Sequence, residues 1–160
     1  RQFRDTELFS TINVLLEEHG VPGGCLEMEI TEGMLMTGAQ AVDEALAHLN
    51  ELGVRIAMDD FGTGYSSLSY LRNIPLSALK IDKSFIFDVN KDENADKLIA
   101  SIISIANGLG IEVVAEGVEE KYQVDHLTAL NCEYLQGYYF SRPVPQSEVA
   151  DLLQNDRWQL

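Results

Sequence analysis

Apolar residues along this chain recur with a helical period and a strand period in turn, and that alternation predicts its elements. Residues 5–19 read as a helix with Leu8, Ile12, Leu15 and Leu16 on one face, broken by Gly20, Pro22, Gly23 and Gly24. "CLEMEI", 25–30, reads as a strand. "AQAVDEALAHLNELG" follows as a helix, with Val42, Leu46 and Leu49 apolar and Gly53 as its C-cap. "VRIAMD", 54–59, is the next strand. A short helix is expected around 66–72, then a strand "ALKID", 78–82. Residues 94–108 give a helix with Leu98, Ile102 and Ile105 in register, and "IEVVAE", 111–116, a strand. A helix at 119–130, a strand "EYLQGYYF" at 133–140 and a helix "SEVADLLQN" at 147–155 close the chain.

Strands alternating with helices imply parallel pairing and an α/β fold. The five strands start roughly 20–35 residues apart, as βαβ units require. Five units suit a doubly wound sheet, or part of an eight-unit barrel of about 250 residues. No linker, low-complexity tract or charge block divides residues 1–160, so one domain and no second is expected.

The side-chain faces separate the two architectures. Leu26, Met28 and Ile30 share one face of the first strand, Glu27 and Glu29 the other. Ile56 and Met58 oppose Arg55, Ala57 and Asp59. Leu79 and Ile81 oppose Ala78, Lys80 and Asp82, and Glu116 follows Val114. The apolar faces suit a layer of helices. The opposite faces are small or polar and finish in charge, which suits a barrel interior better than a second apolar layer.

Composition narrows the function classes. Hydrophobic residues make up 46% of the chain, enough for a core. The net charge of −15 repels a nucleic acid polymer, while an anionic small substrate needs cations to mediate its binding. No apolar run is long enough to cross a membrane, and no signal peptide is visible, so this segment is expected in the cytoplasm without membrane contact. Cys25 and Cys132 lie far apart and read as reduced, buried residues. His19, His48 and His126 share no metal spacing and read as helix-surface or helix-end residues.

The unusual residues fall at the C-terminal strand ends or just after them: Glu29, Asp59 with Asp60, Lys80 with Asp82, Glu116 with Glu119, and Gln136. Active sites of barrels and open parallel sheets form there. A bland alternative makes these acids solvated, with Asp60 or Thr63 capping the next helix. So many carboxylates at one mouth, however, are prohibitive without cations. Hard oxygen ligands favour Mg²⁺ or Mn²⁺. Paired metals about 4 Å apart cleave phosphate esters, and Asp59 is placed to bridge two of them while Asp60 serves the second.

"LEMEITEGMLM", "MDDFGTGYSSLSYLRNIPLSALKIDKSFI", "VVAEGVEE" and "LQGYYFSRPVP" closely resemble the EAL domain of bacterial cyclic-di-GMP phosphodiesterases. The resemblance covers essentially the whole chain. It implies a (β/α) TIM-like barrel, here about five of eight βα units. It implies opening of one phosphodiester bond of cyclic-di-GMP to linear pGpG, with a two-metal Mg²⁺ or Mn²⁺ site. By resemblance Glu29, Asp59 and Asp60 are metal ligands and Glu32 steadies the loop after the Asp pair, Gly62, Thr63 and Gly64. Lys80, with Asp82 beside it, orients the attacking water. Glu116 is the general base, Glu119 supports the second metal and Gln136 lines the site.

The family's Glu-Ala-Leu tripeptide and a metal-binding asparagine would both lie upstream of Arg1, so this segment is expected to be inactive alone. Its strand edges predict a homodimer or an exchange of elements between copies. Sensory or GGDEF-type domains upstream, and membrane anchoring through other domains, remain compatible with the resemblance. Two further readings stand beside it. One is a catalytically silent EAL module that binds cyclic-di-GMP or a protein partner. The other is a phosphorylation receiver, which would place an acidic pair in the first of its strands and fits this order poorly.

Overall fold

Ile56, Met58, Leu79, Ile81, Val113 and Ala115 are each no more than 2% exposed. They occupy alternate positions on neighbouring strands, so one face of a sheet is apolar throughout. The computed structural model describes residues 6–35, 40–62 and 71–154. Its strands are β1 (Glu27–Thr31), β2 (Arg55–Phe61), β3 (Ala78–Ile81), β4 (Glu112–Glu116) and β5 (Tyr134–Gln136). All pairings are parallel, and the spatial order is the chain order, β1-β2-β3-β4-β5. A doubly wound sheet reverses its order at a switch point. No reversal occurs among these strands, and successive addition in one direction is the topology of a (β/α) barrel.

The helices are α1 (Thr6–His19), α2 (Glu32–Leu35), α3 (Gln40–Glu51), α4 (Lys83–Phe87), α5 (Glu93–Leu109), α6 (Lys121–Ala129) and α7 (Gln146–Gln154). A 3-10 turn, Gly23–Cys25, precedes β1. Helix α3 buries Val42, Ala45, Leu46 and Leu49 and packs on β2, while α5 packs on β4. Helix α5 starts at Asp92, whose carboxylate accepts the Asn94 N–H at 2.9 Å, and ends at Gly110 in the left-handed region, φ 72°. Burying these side chains is the main stabilising term, about 1.5–3 kcal/mol for each large apolar residue.

Several expectations are corrected. Leu98 and Ile105 are 45% and 38% exposed; Ile102 is buried as expected, and α5 turns Ile99, Ile103 and Ala106 inward with it. On α1 Ile12 is buried, and Leu15 is exposed. Cys25 is exposed at the end of its 3-10 turn; Cys132 is buried, and burial pushes its thiol up to about 11. The last strand stops at Gln136, because the chain turns at Gly137. A Cβ there would stand 2.0 Å from the Val118 carbonyl oxygen, and Phe140 N–H bonds back to the Gly137 carbonyl at 3.2 Å. Of the short helix expected around 66–72, residues 66–70 lie outside the described residues. Among the described residues no helix is long and apolar enough to cross a membrane.

Candidate functional site

The face opposite the helices carries two tiers of charge. In the lower tier the Arg55 guanidinium bonds to Glu112 on β4 and, at 3.1 Å, to Glu27 on β1. These hydrogen bonds hold Arg55 above its usual range, firmly protonated. Ala57 and Ala78 are buried beside it, and their small side chains leave room for a long one to cross the sheet.

The upper tier lies at the C-terminal ends of the strands. Lys80 projects from β3 with its side chain 8% exposed. Its ammonium donates to Glu29 Oε1 on β1 at 2.5 Å, pairs with Glu116 Oε1 on β4 at 2.7 Å and stands 3.4 Å from Asp59 Oδ1 on β2. Burial alone would pull this amine down. The bonds to Glu116 and Glu29 outweigh it, and Lys80 is raised well above the ordinary lysine range. The surrounding carboxylates thus favour the ammonium form at neutral pH.

The neighbouring acids of β2 have a local cause. The β2–β3 register breaks between Met58 and Phe61, and both of those side chains are buried. Strict alternation allows one residue between two on the same face; here there are two. Asp60 absorbs the extra residue with a left-handed backbone, φ 55°, which aspartate tolerates better than most. The bulge thus fits two carboxylates into the space of one. Gly62 follows at φ 98°, where a Cβ would stand 2.7 Å from the Phe85 ring. Its N–H donates to Glu32 Oε2 at 3.2 Å, and Glu32 is 2% exposed at the start of α2.

The other expected residues are placed less centrally. Asp82 caps α4, accepting from Ser84 N–H at 2.9 Å and from its hydroxyl at 2.5 Å, and these bonds keep its carboxyl below the usual range. Glu119 is exposed on the turn after β4. Gln136 pairs in register with Glu116, and its carbonyl accepts the Val118 N–H at 3.0 Å. Thr63 and Gly64 lie outside the described residues.

The chain matches the EAL domain family model over residues 1–143. It belongs to the EAL domain family. The cyclic di-GMP phosphodiesterase NbdA of Pseudomonas aeruginosa is 43% identical over 151 residues, 94% of this chain and 19% of that protein. The EAL enzyme Bd1971, solved with cAMP and cyclic-di-GMP bound, superposes with a TM-score of 0.92 at 37% identity, covering 97% of this chain and 41% of that one. BlrP1 of Klebsiella pneumoniae, solved with manganese and cyclic-di-GMP, gives a TM-score of 0.82 at 30% identity over 89% of this chain and 36% of its own. The chain spans about a fifth of the length of the curated relatives it matches.

Whether these residues suit a divalent cation is decided by their donors. All are hard carboxylate oxygens, the donor type that divalent cations take. Asp59 Oδ1 is buried with no hydrogen bond, its near cation being the Lys80 ammonium at 3.4 Å, so it keeps lone pairs for a metal and the donor set fits. Among the described residues no group of three or more acidic, histidine or cysteine side chains is placed to hold a metal ion; Glu29, Asp59 and Glu116 converge on the Lys80 ammonium. Sequence reading missed Gln123, buried on α6 at 3% exposure, whose side-chain oxygen accepts two hydrogen bonds and whose amide nitrogen donates one. A lone polar residue on a helix carries no signal of burial in the sequence.

Proposed function

We propose that this EAL chain hydrolyses one phosphodiester bond of cyclic-di-GMP to linear pGpG, as part of the protein that carries it. The observation that supports this reading is the upper tier: a buried, charged lysine among Glu29, Asp59 and Glu116 at the strand ends. Glu29, Asp59 and Asp60 would hold Mg²⁺ or Mn²⁺, with Glu119 reaching the second ion. Bound there, the ions would neutralise the phosphate charge and make water a better nucleophile.

The chain's own groups divide the remaining work. Lys80 orients the attacking water and faces the developing negative charge on phosphorus. Glu116 takes the water's proton as its oxygen bonds to phosphorus. The ester bond to a ribose 3′ oxygen breaks, that oxygen takes up a proton, and the phosphate stays at the 5′ end of pGpG. Asp82 sets the position of α4 behind Lys80, and Gln136 lines the mouth.

A catalytically silent module is the second reading, favoured by the three acids already paired with Lys80. Incubating the complete protein with cyclic-di-GMP, with Mg²⁺ or Mn²⁺ and then with chelator, separates the two. Linear pGpG formed only with the metal supports hydrolysis. Saturable binding without any product supports the silent module.

A further inference from the structure

We propose that Gln123 is a positioning residue for this reaction centre, joining the turn that carries Glu119 to the helix that follows Lys80. The inference rests on the assignment of Glu119 to the site. The Gln123 Oε1 accepts two backbone N–H groups, from Glu119 at 2.8 Å and from Glu120 at 3.0 Å. Its Nε2 donates to the Ile86 carbonyl in α4 at 2.9 Å. The residue is 3% exposed, so these bonds are shielded from water.

A helix cap accounts for only part of this. Glu120 is the N-cap of α6, and Gln123 at the N3 position satisfies its N–H locally as half of a capping box. The Glu119 N–H lies outside that box, and the Ile86 carbonyl lies 37 residues away on another element. A side chain serving all three needs an acceptor and a donor on one planar head at this reach, which glutamine supplies. A glutamate lacks the donor, and a methionine lacks both.

The turn is clamped on its other sides as well. Gly117 has φ 71°, and a Cβ on it would stand 2.5 Å from Lys83 Cβ. Val118 exchanges backbone bonds with Gln136 and Tyr139 at 3.0 and 2.9 Å. Gln123 closes the remaining side, where the turn would otherwise be free to move away from α4. Its bonds therefore fix the backbone at Glu119, from which that carboxylate extends, relative to α4.

The test uses the complete protein, its Gln123→Met and Gln123→Glu variants, and Mn²⁺ as probe. Three quantities are read: amide hydrogen exchange at Glu119 and Glu120, Mn²⁺ affinity by calorimetry, and the melting temperature. Gln123→Met is expected to speed exchange at both amides and weaken Mn²⁺ binding by about 10- to 100-fold, the usual effect of losing an outer support. Gln123→Glu keeps the two acceptor bonds and is expected to fall between the two. A lowered melting temperature with unchanged Mn²⁺ affinity makes Gln123 a helix cap only and overturns the proposal. If Gln123→Met does not fold, wild-type Mn²⁺ affinity in Gln123→Glu overturns it. Wild-type protein that takes up no Mn²⁺ overturns the functional reading and this inference together, whereas an unaltered variant beside a binding wild type overturns the inference alone.

Discussion

Asp82 does local work that can be isolated from chemistry. Its carboxylate caps α4, and Asp82→Ala should cost about 1 kcal/mol of stability. Because hydrogen bonds lower its folded pKa, this contribution is present above the ordinary carboxylate value of about 3.9 and is lost as pH falls through the depressed one. Urea unfolding of both proteins should show a constant gap at neutral pH that closes in acid; a gap that widens in acid contradicts the cap. At Cys132 burial holds the thiol protonated, so a thiol reagent at pH 8 should modify exposed Cys25 and spare Cys132 until the protein is denatured. Equal labelling of both in the native state, read by mass spectrometry, would contradict that burial. For Glu116, replacement by Gln should preserve folding and lower turnover by about 10²-fold or more. A wild-type rate across the pH range would make Glu116 structural only.

Elements differ in how far the sequence reveals them. The strands could be read because period-2 alternation survives burial of one face: Ile56 and Met58 go under the helices, and Ala57 and Asp59 go to the interior. Helices α2 and α4 escaped notice because four or five residues hold too little of a 3.6 period to be seen. The β2 bulge was invisible for a different reason. It is a mismatch between two strands, and one strand's pattern does not contain it. The end of β5 is likewise set by a contact distant in sequence, Gly137 against Val118. Gly137→Ala should therefore cost about 1–3 kcal/mol by overpacking and loosen the 117–120 turn. Unchanged stability in chemical denaturation would show that the turn yields freely.

At the scale of the whole molecule, sequence spacing left two architectures open, and the strand order selects the barrel type. The meeting of Glu29, Lys80 and Glu116, drawn from positions up to 87 residues apart, follows from that order and from the C-terminal placement of each. Burial depth and rotamers of those side chains depend on neighbours across the sheet, which no single strand specifies. Among the described residues β1 and β5 each pair on one side of the five-strand sheet. The 160 residues expressed alone should thus self-associate or exchange elements, visible as a mass above the monomer in light scattering. A monodisperse monomer would remove that expectation. The central claim is that the acids around Lys80 form a metal-dependent reaction centre, and Asp59, with its buried oxygen beside the Lys80 ammonium, is where it is most exposed to test. The measurement is cyclic-di-GMP turnover by the complete protein and its Asp59→Asn variant across a Mg²⁺ titration. The account predicts metal-dependent pGpG formation in the wild type and none above background in the variant at any Mg²⁺ concentration; wild-type turnover in Asp59→Asn would contradict it.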